Sequence, residues 1–148
     1  MIRPFSLADL DGVLQIEARS FPKSPYDWAT FIHLQYLYPE TFLVYIDRIR
    51  DGKEGQILGY VIYSTDGHII SIAVHPSYRR RGIGTELLNK VMNTPDLERV
   101  WAEVRKSNQG AQAFYVHEGF QIGGVVTNYY GDEDALIVQW TPQAVAEP

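Results

Sequence analysis

The segment from Ile69 to Gly84 constrains the fold more than any other part of the chain. It begins with an apolar run over residues 69–74, which is typical of a buried strand. A loop with three consecutive arginines follows and ends in Gly82-Ile83-Gly84, after which apolar residues recur at helical spacing. A glycine turn that opens a helix presents backbone N–H groups and the positive end of the helix dipole. The segment therefore predicts a binding site for a phosphate-bearing ligand.

Other interpretations of this turn were weighed against its residues. A solvent-exposed turn with a hydrated arginine cluster explains the same composition. A P-loop requires a Lys-Ser or Lys-Thr pair after its last glycine, whereas Thr85-Glu86 follows Gly84. A dinucleotide-binding fingerprint requires a third glycine and a later acidic residue, which this spacing lacks. These two nucleotide motifs are therefore excluded.

The composition narrows the function classes. A net charge of −5 argues against a broad nucleic-acid interface, so the three arginines form a local positive patch suited to one small anion. The absence of cysteine excludes disulfides, cysteine-ligated zinc and a cysteine nucleophile. The histidines have no metal-ligand spacing and are expected at the surface or in turns, so we expect no metal site; they are His33, His68, His75 and His117.

Length and hydropathy favour one soluble domain. The chain of 148 residues is expected to form a single domain over residues 1–142, followed by a frayed tail at 143–148. No apolar run is long enough to cross a bilayer and no signal-peptide pattern begins the chain, so a cytoplasmic location without membrane contact is expected.

Hydrophobic periodicity predicts an α/β domain with a mixed central sheet of about seven strands and about four helices. An antiparallel meander comes first and a crossover follows. The predicted strands span residues 2–5, 41–48, 57–64, 68–74, 100–104, 120–130 and 135–140. The predicted helices span 7–19, 27–38, 84–93 and 107–117, with Ser6 and either Ser107 or Asn108 as caps.

Polar residues near the second helical crossover are candidates for chemistry. Glu103 lies in an otherwise apolar strand, which indicates either a half-exposed strand face or a general base whose pKa is raised toward neutrality by desolvation. Asn108 is a helix N-cap by default. Tyr115 lies near the same helical face and is by default a core residue with a hydrogen-bonded hydroxyl.

These runs resemble one enzyme superfamily. Arg79-x-x-Gly82-x-Gly84 resembles the pyrophosphate loop of the GCN5-related N-acetyltransferases, and the run from Trp101 to Asn108 extends the likeness. Tyr129-Tyr130 followed by Glu133-Asp134-Ala135 resembles the RimI-like protein N-terminal acetyltransferases. The resemblance implies that family's single-domain fold and transfer of acetyl from acetyl-coenzyme A to a protein or peptide α-amine, for example that of a ribosomal protein. A small-molecule amine, an amino acid or a lysine side chain is the alternative acceptor, and a silent acyl-coenzyme A-binding module is the alternative class.

The resemblance also implies residue roles, in a monomer or a homodimer. Glu103 would be the general base and Tyr115 the general acid. The donor would be bound by Ile72, Ala73, Val74, Arg79, Arg80, Arg81, Gly82, Ile83, Gly84, Thr85, Asn108 and Tyr115. The acceptor would be bound by Tyr26, Trp28, Tyr129 and Tyr130.

Overall fold

A computed structural model describes residues 1–142, and its elements occur in the predicted order. In that range the strands are β1 (Ile2–Pro4), β2 (Phe42–Ile46), β3 (Ile57–Tyr63), β4 (Ile69–Val74), β5 (Val100–Arg105), β6 (Gln121–Val126) and β7 (Ala135–Trp140). The α-helices are α1 (Leu10–Ser20), α2 (Trp28–Leu37), α3 (Ile83–Met92) and α4 (Gln109–His117). The predicted tail at 143–148 lies outside the described residues, so the boundary at residue 142 stays a prediction.

The predicted numbers of strands and helices are confirmed within residues 1–142, but the strands do not share one mixed sheet. They form a four-stranded sheet of order β1-β2-β3-β4 and a three-stranded sheet of order β5-β7-β6, and all neighbours in both are antiparallel. The parallel pairing that a mixed sheet requires is limited, in this part of the chain, to one bridge between His68 and Trp101. The ladder bonds of β4 and β5 therefore go to their antiparallel neighbours.

The chain divides into two compact units. The first unit comprises residues 1–64 and 69–91. Its core is aromatic: the Phe5 and Phe42 rings stack with centroids 4.1 Å apart, and the Phe31 ring meets the Tyr60 ring edge-on at 5.8 Å. Helix α1 adds Val13 to this core. The buried aromatic side chains hold α1 and α2 on the strands of the first sheet.

The predicted start of α1 differs in detail from the structure. Leu7–Asp9 forms a 3₁₀ turn, and α1 begins only at Leu10. The Asp9 carboxylate accepts the backbone N–H of Ser6 at 2.8 Å and pairs with Arg3 at 2.7 Å. Ser6 is thus the N-cap, as predicted, but of the 3₁₀ turn, and it forms a reciprocal capping box with Asp9.

The second unit comprises residues 65–68 and the described residues from 92 onward. The predicted cap at Asn108 is confirmed, because its side-chain oxygen accepts the Ala111 N–H at 3.0 Å. The predicted strand over 120–130 is too long, since β6 ends at Val126. Asn128 has a positive φ of 56°, and its N–H donates to the Asp134 carboxylate at 2.9 Å. This turn geometry is incompatible with a continuing strand.

Candidate active site

The edge of β4 offers backbone groups to a ligand. The His75 N–H donates to the Leu58 carbonyl on β3, and the antiparallel register places Ala73 opposite Tyr60. Because alternate residues of a strand bond to the same neighbour, Ala73 turns its N–H and C=O toward β3, whereas Ile72 and Val74 turn theirs to the other edge. The predicted donor strand therefore presents Ile72 and Val74, and the backbone groups of Ala73 are already engaged.

The loop after β4 has the geometry of an anion cradle. Arg80 and Gly82 both have positive φ, 64° and 81° respectively. The first bond of α3 runs from the Glu86 N–H to the Gly82 carbonyl, so the N–H groups of Ile83 and Gly84 have no intrahelical acceptor. Thr85 is half-buried in the same first turn. The predicted glycine turn thus presents unpaired helix N–H groups at the positive end of the α3 dipole.

The three arginines of this loop are not equivalent. Arg79 is held by the chain itself, because Nε donates to the Val74 carbonyl at 3.2 Å and Nη2 to Ser20 Oγ at 3.3 Å. The Arg81 guanidinium lies 5.0 Å from the centre of the Tyr78 ring. Arg80 is exposed and makes no ion pair within residues 1–142. Of the three predicted phosphate ligands, Arg80 therefore has the side chain most available to an incoming anion.

An open cleft of about 460 Å³ in the first unit extends from this loop. Tyr78, Arg81 and Ile83 line it from the loop side, and Arg48 and Arg50 line it from the end of β2 and the following hairpin. Arg48, Arg50 and Arg81 outnumber Asp47 in the lining, so the cleft has a positive balance of charge on an acidic chain.

Glu103 lies on β5 of the second unit and pairs with His68. The Glu103 Oε2 and His68 Nε2 atoms are 2.7 Å apart, and the two side chains are only 18% and 31% exposed. The His68 ring stacks on Trp101 with an interplanar angle of 7°, and the Arg99 guanidinium lies 4.2 Å from the Trp101 ring centre. A flat stack on one side and a short hydrogen bond on the other fix the orientation of the imidazole.

His68 was missed as a functional candidate because its partner is distant in sequence. The carbonyl of Gly67 accepts the Trp101 N–H at 3.0 Å, and this bond brings the segment before β4 to β5. Gly67 has a φ of +104°, and a Cβ there would collide with the Arg99 carbonyl. The Asp66-Gly67 pair, interpreted from the sequence as a tight turn, was thus the available signal that the chain makes a close approach at His68.

The pKa expected for Glu103 is corrected by this pairing. Burial of the carboxylate disfavours its charge and is the largest influence, but the hydrogen bond and charge of His68 act in the opposite sense. The net effect lowers the pKa of Glu103 below its ordinary value. The expectation of a pKa raised toward neutrality is therefore wrong, and Glu103 is ionised throughout the neutral pH range.

Tyr115 on α4 combines a buried ring with an accessible hydroxyl. The side chain is 4% exposed, and its ring packs between Phe114 and Phe120. The hydroxyl has no hydrogen bond in the described part of the chain, yet every buried side-chain nitrogen or oxygen atom there has a partner. The hydroxyl must therefore reach the accessible surface. Burial, and then the charges of Tyr130 and Glu103, raise the pKa of Tyr115 and keep its proton in place at neutral pH.

The loop before β7 holds the paired tyrosines. Tyr130 OH donates to the Glu103 carbonyl at 3.2 Å, and the Arg105 guanidinium lies 4.2 Å from the Tyr130 ring centre. Arg105 also pairs with Glu133 at 2.9 Å. Tyr129 is 50% exposed, and burial together with the Glu103 charge raises its pKa. The structure thus brings Glu103, Tyr115, Tyr129 and Tyr130 together with His68, and we call these five residues the Glu103 cluster.

The remaining predicted residues have simpler settings. The Asn108 side-chain oxygen is occupied by the helix cap, which leaves its amide N–H groups for a ligand. In the first unit, Tyr26 packs edge-on against Phe31 at 5.8 Å and is half-buried. Trp28 is 61% exposed at the start of α2. Of the two acceptor candidates in this unit, Tyr26 thus belongs to the core margin and Trp28 to the surface.

The described chain shows neither a metal-binding cluster nor a membrane-spanning helix. No three His, Asp or Glu side chains in residues 1–142 are grouped so that they could hold a metal ion. None of the helices in that range has the length and apolar character needed to span a membrane.

Comparison with known proteins identifies the family. The model of the Acetyltransferase (GNAT) family matches residues 10–120. An uncharacterized N-acetyltransferase of Methanocaldococcus jannaschii is 38% identical over 146 residues, which cover 93% of this chain and 89% of that protein. A putative [ribosomal protein bS18]-alanine N-acetyltransferase of Bacillus subtilis is 37% identical over 145 residues, with 93% of this chain and 92% of that protein covered.

A solved structure gives the same result at the level of the fold. Ard1 from Thermoplasma volcanium superposes with a TM-score of 0.79 at 29% sequence identity. The match covers 97% of this chain and 98% of that one. The described elements therefore occur in the same arrangement in an experimentally determined structure.

Proposed function

Because this chain belongs to the GNAT acetyltransferase family, we propose that its acetyl-coenzyme A-dependent N-acetyltransferase activity acts on the N-terminal α-amine of a protein or peptide. The observation that carries this proposal is the Glu103 cluster, in which an ionised carboxylate, an imidazole and an accessible phenol are held together. The choice of a protein α-amine is supported by the Bacillus subtilis relative, whose name specifies an alanine of a ribosomal protein.

Donor binding is assigned to the first unit. A pantetheine arm has amide groups that need both donors and acceptors. The N–H and C=O of Ile72 and the N–H of Val74 at the edge of β4 match that need, whereas the Val74 carbonyl accepts from Arg79. The N–H groups of Ile83 and Gly84 and the guanidinium of Arg80 are suited to a pyrophosphate. In the second unit, the amide of Asn108 is a further donor for the pantetheine.

Proton transfer is assigned to the Glu103 cluster. The amine nitrogen must lose a proton to attack the acetyl carbonyl carbon, and Glu103, directly or through a water, accepts that proton in a hydrogen bond shared with His68. An ionised carboxylate with a hydrogen-bonded water is a sufficient base near neutral pH for a free α-amine, whose pKa is about 8. The stack of His68 on Trp101 and its 2.7 Å bond to Glu103 hold that carboxylate in place.

The remaining bond changes balance without an enzyme-bound intermediate. As the N–C bond forms, the C–S bond of the thioester breaks and its electron pair goes to sulfur. The Tyr115 hydroxyl donates a hydrogen bond to that sulfur as negative charge develops there. The products are an N-acetylated amine and the free thiol of coenzyme A. An α-ammonium loses one proton before attack, which passes through Glu103 to solvent, and a second as the amide forms, which balances the one that sulfur takes up.

The acceptor is assigned to exposed aromatic side chains. Trp28 is 61% exposed and Tyr129 is 50% exposed. Both rings offer flat faces for the first residues of a peptide. Tyr26 and Tyr130 are proposed to support these contacts from half-buried positions. A protein acceptor is consistent with the cytoplasmic location expected from the sequence.

The function is tested by thiol release from acetyl-coenzyme A. The purified protein is incubated with short peptides that differ in their first residue, with matched peptides whose α-amine is blocked, and with polyamines, free amino acids and a lysine peptide blocked at its α-amine. Release only with free α-amines, with the acetyl group located there by mass spectrometry, is the expected result. Release only with the small amines or the blocked lysine peptide would contradict the α-amine assignment. The acceptor would then be a small-molecule amine, an amino acid or a lysine side chain.

Gly82→Val is expected to weaken binding of coenzyme A about tenfold. The free loop of the variant is expected to relax out of the left-handed backbone, and restoring that backbone on binding costs an L-residue about 1–2 kcal/mol. Nothing lies within 4 Å of a Cβ at Gly82, so the side chain itself has room and the fold should persist. The measurement is calorimetric titration with coenzyme A. Arg80→Gly is the matched variant, since it keeps a residue that tolerates the observed φ of 64° and removes only the guanidinium.

The two variants separate the contribution of the loop backbone to coenzyme A binding from that of the Arg80 charge. Arg80→Gly should weaken binding less than Gly82→Val and should lose its effect as salt is raised, since an exposed charge is screened. If both variants bind coenzyme A as tightly as the wild type at low salt, this loop is not the pyrophosphate site.

A further inference from the structure

A buried carboxylate in the first unit takes no part in the chemistry assigned above. Glu17 on α1 is 2% exposed, and it lies beside Tyr60 of β3, which is fully buried. Within residues 1–142 Glu17 forms no ion pair. Carboxylates without a cation partner are rarely buried, because the loss of hydration is costly. Hydrogen bonds must therefore compensate for the hydration that the Glu17 carboxylate has lost.

The hydrogen bonds of Glu17 join four segments of the chain. Tyr60 OH donates to Glu17 Oε1 at 2.6 Å and lies 3.0 Å from Ser71 Oγ on β4. The backbone N–H of Tyr26, in the connection between α1 and α2, also donates to the Glu17 carboxylate. One buried side chain thus ties α1, β3 and β4 to the segment that carries Tyr26.

The two ends of this network lead to the two proposed substrates. Ser71 directly precedes Ile72, whose backbone groups are assigned to the donor. Tyr26 and its neighbour Trp28 are assigned to the acceptor. The link between them runs through the interior of one compact unit and does not depend on an exposed contact.

We propose that Glu17 is a positioning residue that holds the acceptor-side segment at Tyr26 in register with the donor strand β4, and that its protonation changes how well the acceptor is bound. This inference rests on the proposed function for its substrate assignments. A carboxylate accepts a stronger hydrogen bond from the Tyr26 N–H than a neutral carboxyl does, so the ionised form holds the segment more firmly.

The buried environment of Glu17 brings the ionisation of its carboxyl group close to neutral pH. Burial raises its pKa to about 7, although the hydrogen bonds from Tyr60, Tyr26 and Ser71 oppose the rise. The titratable groups that face the network are Tyr60 on β3 and Tyr26 in the connecting segment; α2 contributes the apolar side chain of Phe31. The pKa of Tyr60 is raised well above its ordinary value by burial and the Glu17 charge, so Tyr60 remains a donor.

The direct test follows the Tyr26 amide without any substrate. In an NMR titration the Tyr26 amide proton of the wild type should move as its bond to Glu17 strengthens, with a midpoint near pH 7. Glu17→Gln keeps the shape and the acceptor oxygen but cannot ionise, so the midpoint should disappear. In Tyr60→Phe a hydrogen bond that lowers the Glu17 pKa is lost, so the midpoint should move to higher pH. A Tyr26 amide that does not titrate in the wild type overturns the proposal.

The kinetic test uses the ratio of wild type to Glu17→Gln, which cancels the titration of the acceptor amine. For the acceptor, the ratio of kcat/KM should be near one at pH 6 and rise to about fivefold at pH 8, because charge-assisted hydrogen bonds are about twice as strong as neutral ones. For the donor, the ratio of KM should stay flat. If the Tyr26 amide titrates but the ratio of kcat/KM for the acceptor does not change with pH, the positioning role is contradicted. A residue with only a structural role would give such a pH-independent ratio.

The two tests distinguish failure of this inference from failure of the proposed function. If no peptide is acetylated but the Tyr26 amide titrates in the wild type and not in Glu17→Gln, the coupling stands and the acceptor assignment is wrong. If peptides are acetylated and the amide does not titrate, the acceptor assignment stands and Glu17 has no positioning role.

Discussion

Glu103→Gln is expected to lower kcat by about 10²- to 10³-fold, within the range that general acid–base groups contribute. Glutamine fills the same space and can hydrogen-bond to His68 at the observed 2.7 Å, so the fold should be kept. It carries no negative charge and therefore cannot accept a proton from the amine. Single-turnover acetylation of a preferred peptide measures the chemical step directly.

A matched control is Glu98→Gln, which makes the same change of charge at an exposed position of the same unit. It should leave kcat unaltered, and the affinity of both variants for coenzyme A should equal that of the wild type. Equal rates for Glu103→Gln and Glu98→Gln would remove Glu103 from the proton path.

His68→Gln completes the comparison. Burial raises the pKa of Glu103, but the hydrogen bond and charge of His68 lower it by more, so the net shift is downward. Without His68, the carboxylate should therefore hold its proton to higher pH. The acid limb of the kcat profile should therefore move upward in His68→Gln. An unmoved acid limb would mean that His68 does not tune Glu103.

Tyr115→Phe is expected to slow turnover by about 10- to 10²-fold, at the lower end of general-acid effects. The effect is smaller than that of Glu103 because the pKa of a tyrosine is ordinarily above that of a thiol and burial raises the pKa of Tyr115 further. Full proton transfer to sulfur is therefore uphill, and a hydrogen bond supplies most of the stabilisation. The hydroxyl bonds to no other group in residues 1–142, so its removal should cost little stability.

The measurement is steady-state kcat together with the thermal midpoint. Tyr36→Phe removes the hydroxyl of an 82% exposed tyrosine and should change neither. A loss of kcat in Tyr115→Phe at an unchanged midpoint supports the acid role. If kcat also stays at the wild-type value, water rather than Tyr115 protonates the leaving sulfur.

Local pattern was sufficient for most of the fold. The order of strands and helices, the Asn108 cap and the glycine turn at Gly82 were predicted because each depends on residues close together in the chain. The predicted end of β6 was wrong because the turn at Asn128 depends on a hydrogen bond from its backbone N–H to the Asp134 carboxylate. Such a bond leaves no trace in the hydrophobic periodicity of the sequence. Sheet membership was also missed, since the pairing of strands depends on contacts between distant segments.

The candidate site divides in the same way. Glu103, Tyr115 and the paired tyrosines were identified by a resemblance of short motifs. The structure then placed His68 on Glu103 and reversed the expected direction of the Glu103 pKa. It also showed that Ala73 bonds to β3 and that Arg79 bonds to the Val74 carbonyl and to Ser20. The backbone groups of Ile72, the N–H of Val74 and the side chain of Arg80 are left as the more available donor contacts.

The amino-acid sequence by itself determined the family, the element order and the position of the anion-binding turn, because periodicity, glycine placement and short motifs act over a few neighbouring residues. Only the tertiary structure decided the pairing of His68 with Glu103 and the burial of Glu17 among Tyr60, Ser71 and the Tyr26 backbone. These pairings join residues far apart in the chain. Charge and hydration at each group depend on which distant side chain the fold brings into contact with it.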